Sequence, residues 1–255
     1  MTPLLALEFP PISHLIEWPD ILLKDSLFAV NKVVLLMWIA VALTFGLFFV
    51  AGRRQRLVPV GVQNFAETVV DFIREGIILQ TMGPEGLRYT PFLLTVFTFI
   101  ASLNLIGLLP IVQMPVNARM AIPAILGVLV WVIFNTVGIM KQGFFSYFKG
   151  IMFPPGVPIP IYVLLTPIEF ISVVIVRPFS LAVRLFANLF AGHLILVSFA
   201  VISAALFDAT KIGAVLPGAL LVALTGFEVF VALLQAYIFT ILTAVYIGGA
   251  MHPEH

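Results

Sequence analysis

The chain contains no cysteine. Disulfide frames, thiolate nucleophiles and Cys-ligated metals are thereby excluded, and redox chemistry loses its commonest protein handle. Charge is scarce as well: 10% of the residues are Asp, Glu, Lys or Arg against 62% hydrophobic, and the mean hydropathy is +1.16. A soluble domain is not built on those proportions, because its surface needs far more polar side chains. The few charges nearly cancel, 13 Lys and Arg against 12 Asp and Glu, which gives no sign of nucleic acid or of a strongly anionic ligand. Period-two alternation is missing from the apolar runs, so backbone groups in lipid are to be satisfied by helices rather than by a closed barrel. HExxH and GxSxG are absent too, and His14, His252 and His255 sit near the chain ends. An intramembrane enzyme therefore lacks a usable nucleophile or metal-ligand pattern, and no cofactor or metal is expected.

What is present is a series of apolar stretches, each of about 20 residues and able to cross a hydrocarbon core about 30 Å thick as a helix. The expected fold is an all-α polytopic membrane protein, a single membrane domain over 1–255, with about five membrane-embedded helices and an amphipathic surface helix. Residues 1–26 lack the basic start and small-residue cleavage site of a signal peptide, and read as a retained outer-side leader. The first span, 27–51, is preceded by Glu17, Asp20 and Asp25 and followed by Arg53, Arg54 and Arg56; the positive-inside rule places the N-terminus outside. In 59–83, Val62, Phe65, Val69, Phe72 and Ile73 recur at helical spacing against Glu67, Asp71, Arg74 and Glu75, the pattern of a helix lying on the inner surface. Spans follow at 89–109, carrying Asn104 and stopped by Pro110, and at 121–140, ended by Lys141 with Lys149 beyond.

The proline-rich FPPGVPIP at 153–160 breaks any helix there. From 159 to 206 the chain is almost continuously apolar, and a helix of that length measures about 72 Å, more than twice the hydrocarbon thickness. It is expected to be strongly tilted and bent near Pro178, and the last long helix at 212–248 to be strongly tilted. Counting crossings puts the intervening FDATK turn outside and the tail MHPEH in the cytoplasm.

Ionisable groups at membrane depth cost about 2.5–3.5 kcal/mol each on insertion scales, so they face partners or hydrated cavities. Glu169, Arg184, His193 and Glu228 all fall well inside apolar segments, while Arg177 lies nearer an end. At about 100° per residue Ser180, Arg184 and Asn188 share one face; Glu169 lies about 60° from Arg184 on an unbroken helix and His193 about 180° away. On the last helix Glu228, Gln235 and Tyr246 fall within about 20° of one another. Gln and Tyr alone suit helix–helix glue; three polar groups in register, an acid among them, suggest a hydrated path. Carboxylate and imidazole hand protons on, whereas a guanidinium keeps its own.

RPFSLAVRLFANLFAGH at 177–193, LLQAYIFTILTAVYI at 233–247 and NLIGLLP at 104–110 resemble subunit a of the F-type ATP synthase, in order, over about residues 30–250. The resemblance implies a stator subunit that gives a rotating c-subunit ring two proton half-channels and couples proton flow to ATP synthesis, with no catalytic site of its own. Arg184 then matches the essential stator arginine facing the ring's carboxylates, and Asn188 and Gln235 the polar positions beside it. His193 and Glu228 match the outer half-channel pair, Glu169 the inner acid, with one residue more than usual between it and Pro178. Asn104 matches a second-span polar position, and Gly107 stands where some members carry aspartate. Expected partners are the c-ring, the b subunits of the peripheral stalk, the rest of the complex and lipid, in a bacterial plasma membrane or, as the alternative, a mitochondrial inner membrane. A sodium-translocating version remains open, as does a stand-alone transporter or channel, although no inverted repeat is visible.

Overall fold

The computed structural model describes residues 30–53, 56–109, 112, 116–153 and 158–251. The leader at 1–26, Pro110, the prolines of 154–157 and the tail after Met251 lie outside the described residues. Among the described residues no strand ladder forms, and the elements are helices throughout. They are α1 (Lys32–Arg53), α2 (Val62–Ile73), a π turn (Arg74–Ile78), α3 (Leu79–Thr81), a 3-10 turn (Pro84–Tyr89) and α4 (Thr90–Gly107). A second 3-10 turn (Val116–Ala118) leads to α5 (Ala121–Gln142) and α6 (Phe144–Met152); α7 (Ile159–Ile171), a π turn (Ser172–Val176), α8 (Arg177–Ala209) and α9 (Val215–Met251) follow.

Five of these segments are long and apolar enough to cross a membrane: Lys32–Arg53, Pro84–Gly107, Ala121–Gln142, Pro160–Phe207 and Val215–Met251. The all-α, multi-pass reading is borne out. Large apolar side chains such as Trp38, Phe45, Ile125, Val163 and Phe230 remain exposed on them; in lipid that is the favourable arrangement, because acyl chains are as apolar as leucine. Beside large buried side chains such as Phe134, Phe239 and Ile247, small ones recur where a helix is covered, as on α9, where Ala232, Ala236, Thr240, Ala244 and Gly248 fall every fourth residue and all are buried. Small side chains let backbones approach closely. Thr240 and Thr243 return their hydroxyls to Ala236 and Phe239 carbonyls of the same helix, at 2.8 Å each, so neither leaves a polar atom unpaired.

The chain resolves into two compact units. One comprises 1–43, 99–119 and 186–235. Its core holds Leu36 and Ala40 of α1, Ile100, Leu103 and Asn104 of α4, Leu189 of α8, and Ala232 and Gln235 of α9. Lys32 Nζ donates to the Val112 carbonyl at 2.7 Å, fixing the start of α1.

The other unit comprises 44–98, 120–185 and 236–255. In it α2 keeps Val62, Phe65 and Phe72 exposed and buries Gln63, Ala66 and Ile73. Gln63 closes the preceding turn: its Oε1 accepts from the Arg56 amide at 3.1 Å and its Nε2 donates to the Arg56 carbonyl at 3.0 Å and to Glu67 at 2.8 Å. Gly143, at φ 80°, makes the left-handed link between α5 and α6. Tyr147 of α6 then fills the space over Gly138 and donates to Asn135 Oδ1 at 3.2 Å. Burial pushes the Tyr147 phenol up to about 12, against the opposing pull of the Arg177 guanidinium, so it remains a donor at neutral pH. The end of α9 is held by Gln142 Nε2 on the Ala250 carbonyl at 2.9 Å and by Arg88 on Met251 Sδ at 3.6 Å.

Pro178 does not break the 159–209 segment: it is the second residue of α8, and helical structure runs through it from the π turn. The irregularity lies just before it, in the π turn.

Candidate ion-translocation site

Arg184 lies in the first half of α8, half-buried, one turn after Ser180 and one turn before Asn188. Because α8 is unbroken, those three do share a face, and His193 lies half a turn round from Arg184. Among the described residues the guanidinium has no carboxylate or carbonyl partner. The ion pair formed elsewhere, Lys141 to Glu85 at 3.0 Å, joins exposed or partly exposed side chains.

In the first unit the amides make two clusters. Asn188 Nδ2 donates to Gln235 Oε1 at 2.6 Å. Gln235 is 1% exposed, and its own Nε2 has no hydrogen-bond partner among the described residues. Asn104, fully buried on α4, donates to the Ala232 carbonyl of α9 at 3.0 Å and accepts from Asn117 Nδ2 at 2.7 Å. Asn117 Oδ1 is again buried and unpartnered. Asn117 belongs to the 3-10 turn after α4, has no helical period to announce it, and was not visible from the sequence; only its place one short loop beyond Asn104 hints at it.

Glu228 is 8% exposed. Its carboxylate occupies the place a Cβ on Gly192 would take, immediately beside His193 in the chain. His193 Nε2 is buried without a partner among the described residues. Acid and imidazole segment are thus brought together across α8 and α9, and Gly192 makes the room.

In the second unit Arg177 is held by aromatic faces: its guanidinium lies 5.9 Å from the Phe134 ring centre and 5.2 Å from that of Tyr246, with the two rings 5.8 Å apart. Tyr246 therefore spends its ring on Arg177 and Phe134, while Glu228 and Gln235 belong to the other unit. Glu169 is half-buried on α7 and has no partner among the described residues. The sequence arithmetic for its facing assumed an unbroken helix; the π turn at Ser172–Val176 inserts one residue of register, and Glu169 moves from about 60° on one side of Arg184 to about 40° on the other. Among the described residues no group of three His, Cys, Asp or Glu is placed to hold a metal ion.

Fold and site together define a helical, multi-pass membrane protein with buried amides on α4 and α9, a buried acid on α9, and half-buried ionisable groups along its longest apolar segment. The chain belongs to the ATP synthase A chain family, which it matches over residues 34–248. It is 39% identical to ATP synthase subunit a of Rhodococcus erythropolis over 251 residues, covering 92% of this chain and 88% of that one. The corresponding figures are 41% over 242 residues for subunit a of Frankia alni, covering 94% and 84%, and 37% over 254 residues for that of Hyphomonas neptunium, covering 98% of each.

Proposed function

We propose that this chain is the proton-conducting stator subunit of an H+-transporting ATP synthase, presenting two half-paths to a ring of c subunits whose membrane-embedded acids carry the proton between them. The observation that supports this most is Arg184: a half-buried guanidinium at membrane depth with no counter-charge among the described residues, which is the arrangement of a group whose partner is supplied by another chain. A proton enters from outside by way of Glu228 and His193 and neutralises a ring acid. It rides the ring and leaves on the Glu169 side. Arg184 draws the deprotonated ring acid and, being unable to pass a proton on, keeps the two paths apart. Moving one charge through 100 mV is worth about 2.3 kcal/mol, so several protons are needed per ATP and a leak here wastes them. Other partners are the b subunits of the peripheral stalk and the rest of the complex. The basic residues closing α1 and α5 support an outer N-terminus and a cytoplasmic C-terminus, and the bacterial relatives support a bacterial plasma membrane.

The test is reconstitution. Vesicles holding this chain alone are expected to show no proton flux under an imposed potential, and vesicles holding it with the c-ring and b subunits to show flux that a ring-acid reagent stops. Flux from the chain alone would make it a self-sufficient channel. Protons are the expected ion because an imidazole and a carboxylate suit proton relay better than sodium coordination; sodium carried in their place through the complete sector would assign the chain to the sodium version.

A smaller effect is expected for Gln235→Leu. Interhelical hydrogen bonds of this kind average about 0.6 kcal/mol in membranes, too little to part α8 from α9. Proton flux through the assembled sector should fall several-fold while the amount of assembled complex stays the same; loss of assembly instead would make the amide pair helix glue.

A further inference from the structure

The π turn between α7 and α8 has an identifiable cause. In an α-helix the carbonyl of residue i accepts from the N–H four residues on, and in a π turn from the N–H five residues on. The Ser172 carbonyl accepts from Arg177 N–H, the π register. The next carbonyl in that register, Val173, meets Pro178, which has no N–H to give. Trp131 of α5 supplies the donor: its indole Nε1 bonds the Val173 carbonyl at 3.0 Å. One turn earlier Gly127 lets α5 come so near that a Cβ there would stand 2.6 Å from the Pro178 carbonyl oxygen. In the α register the carbonyl left over by Pro178 would be that of Val174, about 100° further round the helix and out of line with the indole.

That choice of register decides where Glu169 stands. On a continuous α-helix Glu169 and Arg177 would be about 80° apart; with one residue absorbed by the wider turn they fall within about 20° of each other, two turns apart on one face. Arg177 is itself fixed there by the Phe134 and Tyr246 rings. We propose that Trp131 is a positioning residue for proton release: its indole N–H holds the π turn and so keeps Glu169 on the Arg177 face of the helix. The proposal rests on Glu169 being the inner acid.

The absence of cysteine makes the facing measurable in the assembled complex in native membranes. Glu169→Cys is labelled with a charged, membrane-impermeant methanethiosulfonate, alone and with Trp131→Phe, with deletion of Val174, and with both. Trp131→Phe keeps the ring and loses the donor, and it is expected to lower the ratio of π to α register about three- to tenfold, the effect of one hydrogen bond, and labelling with it. Deleting Val174 removes the extra residue, makes a plain α-helix with Glu169 on the same face, and is expected to restore labelling in the Trp131→Phe background. With Glu169 intact, ATP-driven proton pumping should follow the same order. Labelling unchanged by Trp131→Phe, or not restored by the deletion, overturns the proposal. Should Trp131→Phe fail to assemble, deletion of Val174 alone decides: retained labelling supports the register reading and lost labelling ends it. Glu169→Gln with pumping at the wild-type level would instead remove Glu169 from the release path and leave the register result standing by itself.

Discussion

Arg184→Ala is expected to reduce ATP synthesis driven by a proton gradient to background and to leave unchanged ATP hydrolysis by the soluble head, measured after its release from the membrane. A unit charge about 4 Å from a ring acid at an effective dielectric of 20 is worth about 4 kcal/mol, or about a thousandfold in the acid's ionisation balance. On the proposed mechanism the ring acid then has no reason to give up its proton on arrival, and the inlet is no longer kept apart from the outlet. Arg184→Lys is expected to be nearly as damaging, since an ammonium changes its protonation readily when buried and lacks the guanidinium's fixed planar fork. Synthesis at the normal rate in Arg184→Ala membranes would end the proposed mechanism. The absence, among the described residues, of an acid beside the guanidinium is what makes this outcome sharp: none of them forms an ion pair with Arg184 whose loss would explain an unfolded subunit.

The second large effect belongs to Glu228 and to the glycine opposite it. Glu228→Gln removes a buried acid from the proposed entry path, and a positioned acid or base contributes about a hundredfold or more where a proton must be handed over. Gly192→Ala leaves the acid in the sequence and puts a methyl where its carboxylate rests. Since the carboxylate is the free end of a flexible side chain, it swings away before the helices part. Assembly should survive while proton flux falls by about tenfold or more. The double variant should be no worse than Glu228→Gln alone, because both changes act through one carboxylate. Additive losses, or a lower yield of assembled complex with Gly192→Ala, would show that Gly192 serves packing and not placement.

Much of this was legible from composition and period. Apolar length and the lack of alternation announced a helical membrane protein, and the helical positions of Arg184, Asn188, Glu228 and Gln235 could be sorted by 100° steps because α8 and α9 are regular. The partnership of Asn188 with Gln235 joins residues from those two faces, and the structure supplies it. Glu169 escaped the same arithmetic because a hydrogen-bond register is not written in hydrophobicity: the cause is a proline two residues past the π turn and an indole on another helix, 42 residues earlier. Tyr246 escaped for a related reason. Its angle matched Gln235, but angle ignores depth, and 11 residues further along α9 it meets Arg177 rather than the amides. Asn117 and Gly192 were overlooked because one sits outside any periodic segment and the other acts by what it lacks.

A bare guanidinium also bears on how the complex is made. A chain inserted before its partners carries, at Arg184, a cation in lipid with nothing to neutralise it, a penalty of about 2.5–3.5 kcal/mol on insertion scales. Docking against an acid-bearing neighbour relieves that penalty, so part of the driving force for subunit association resides in the same side chain that later governs turnover. On the proposed mechanism that neighbour is the rotor, so copies made without it are expected to be less stable than assembled ones.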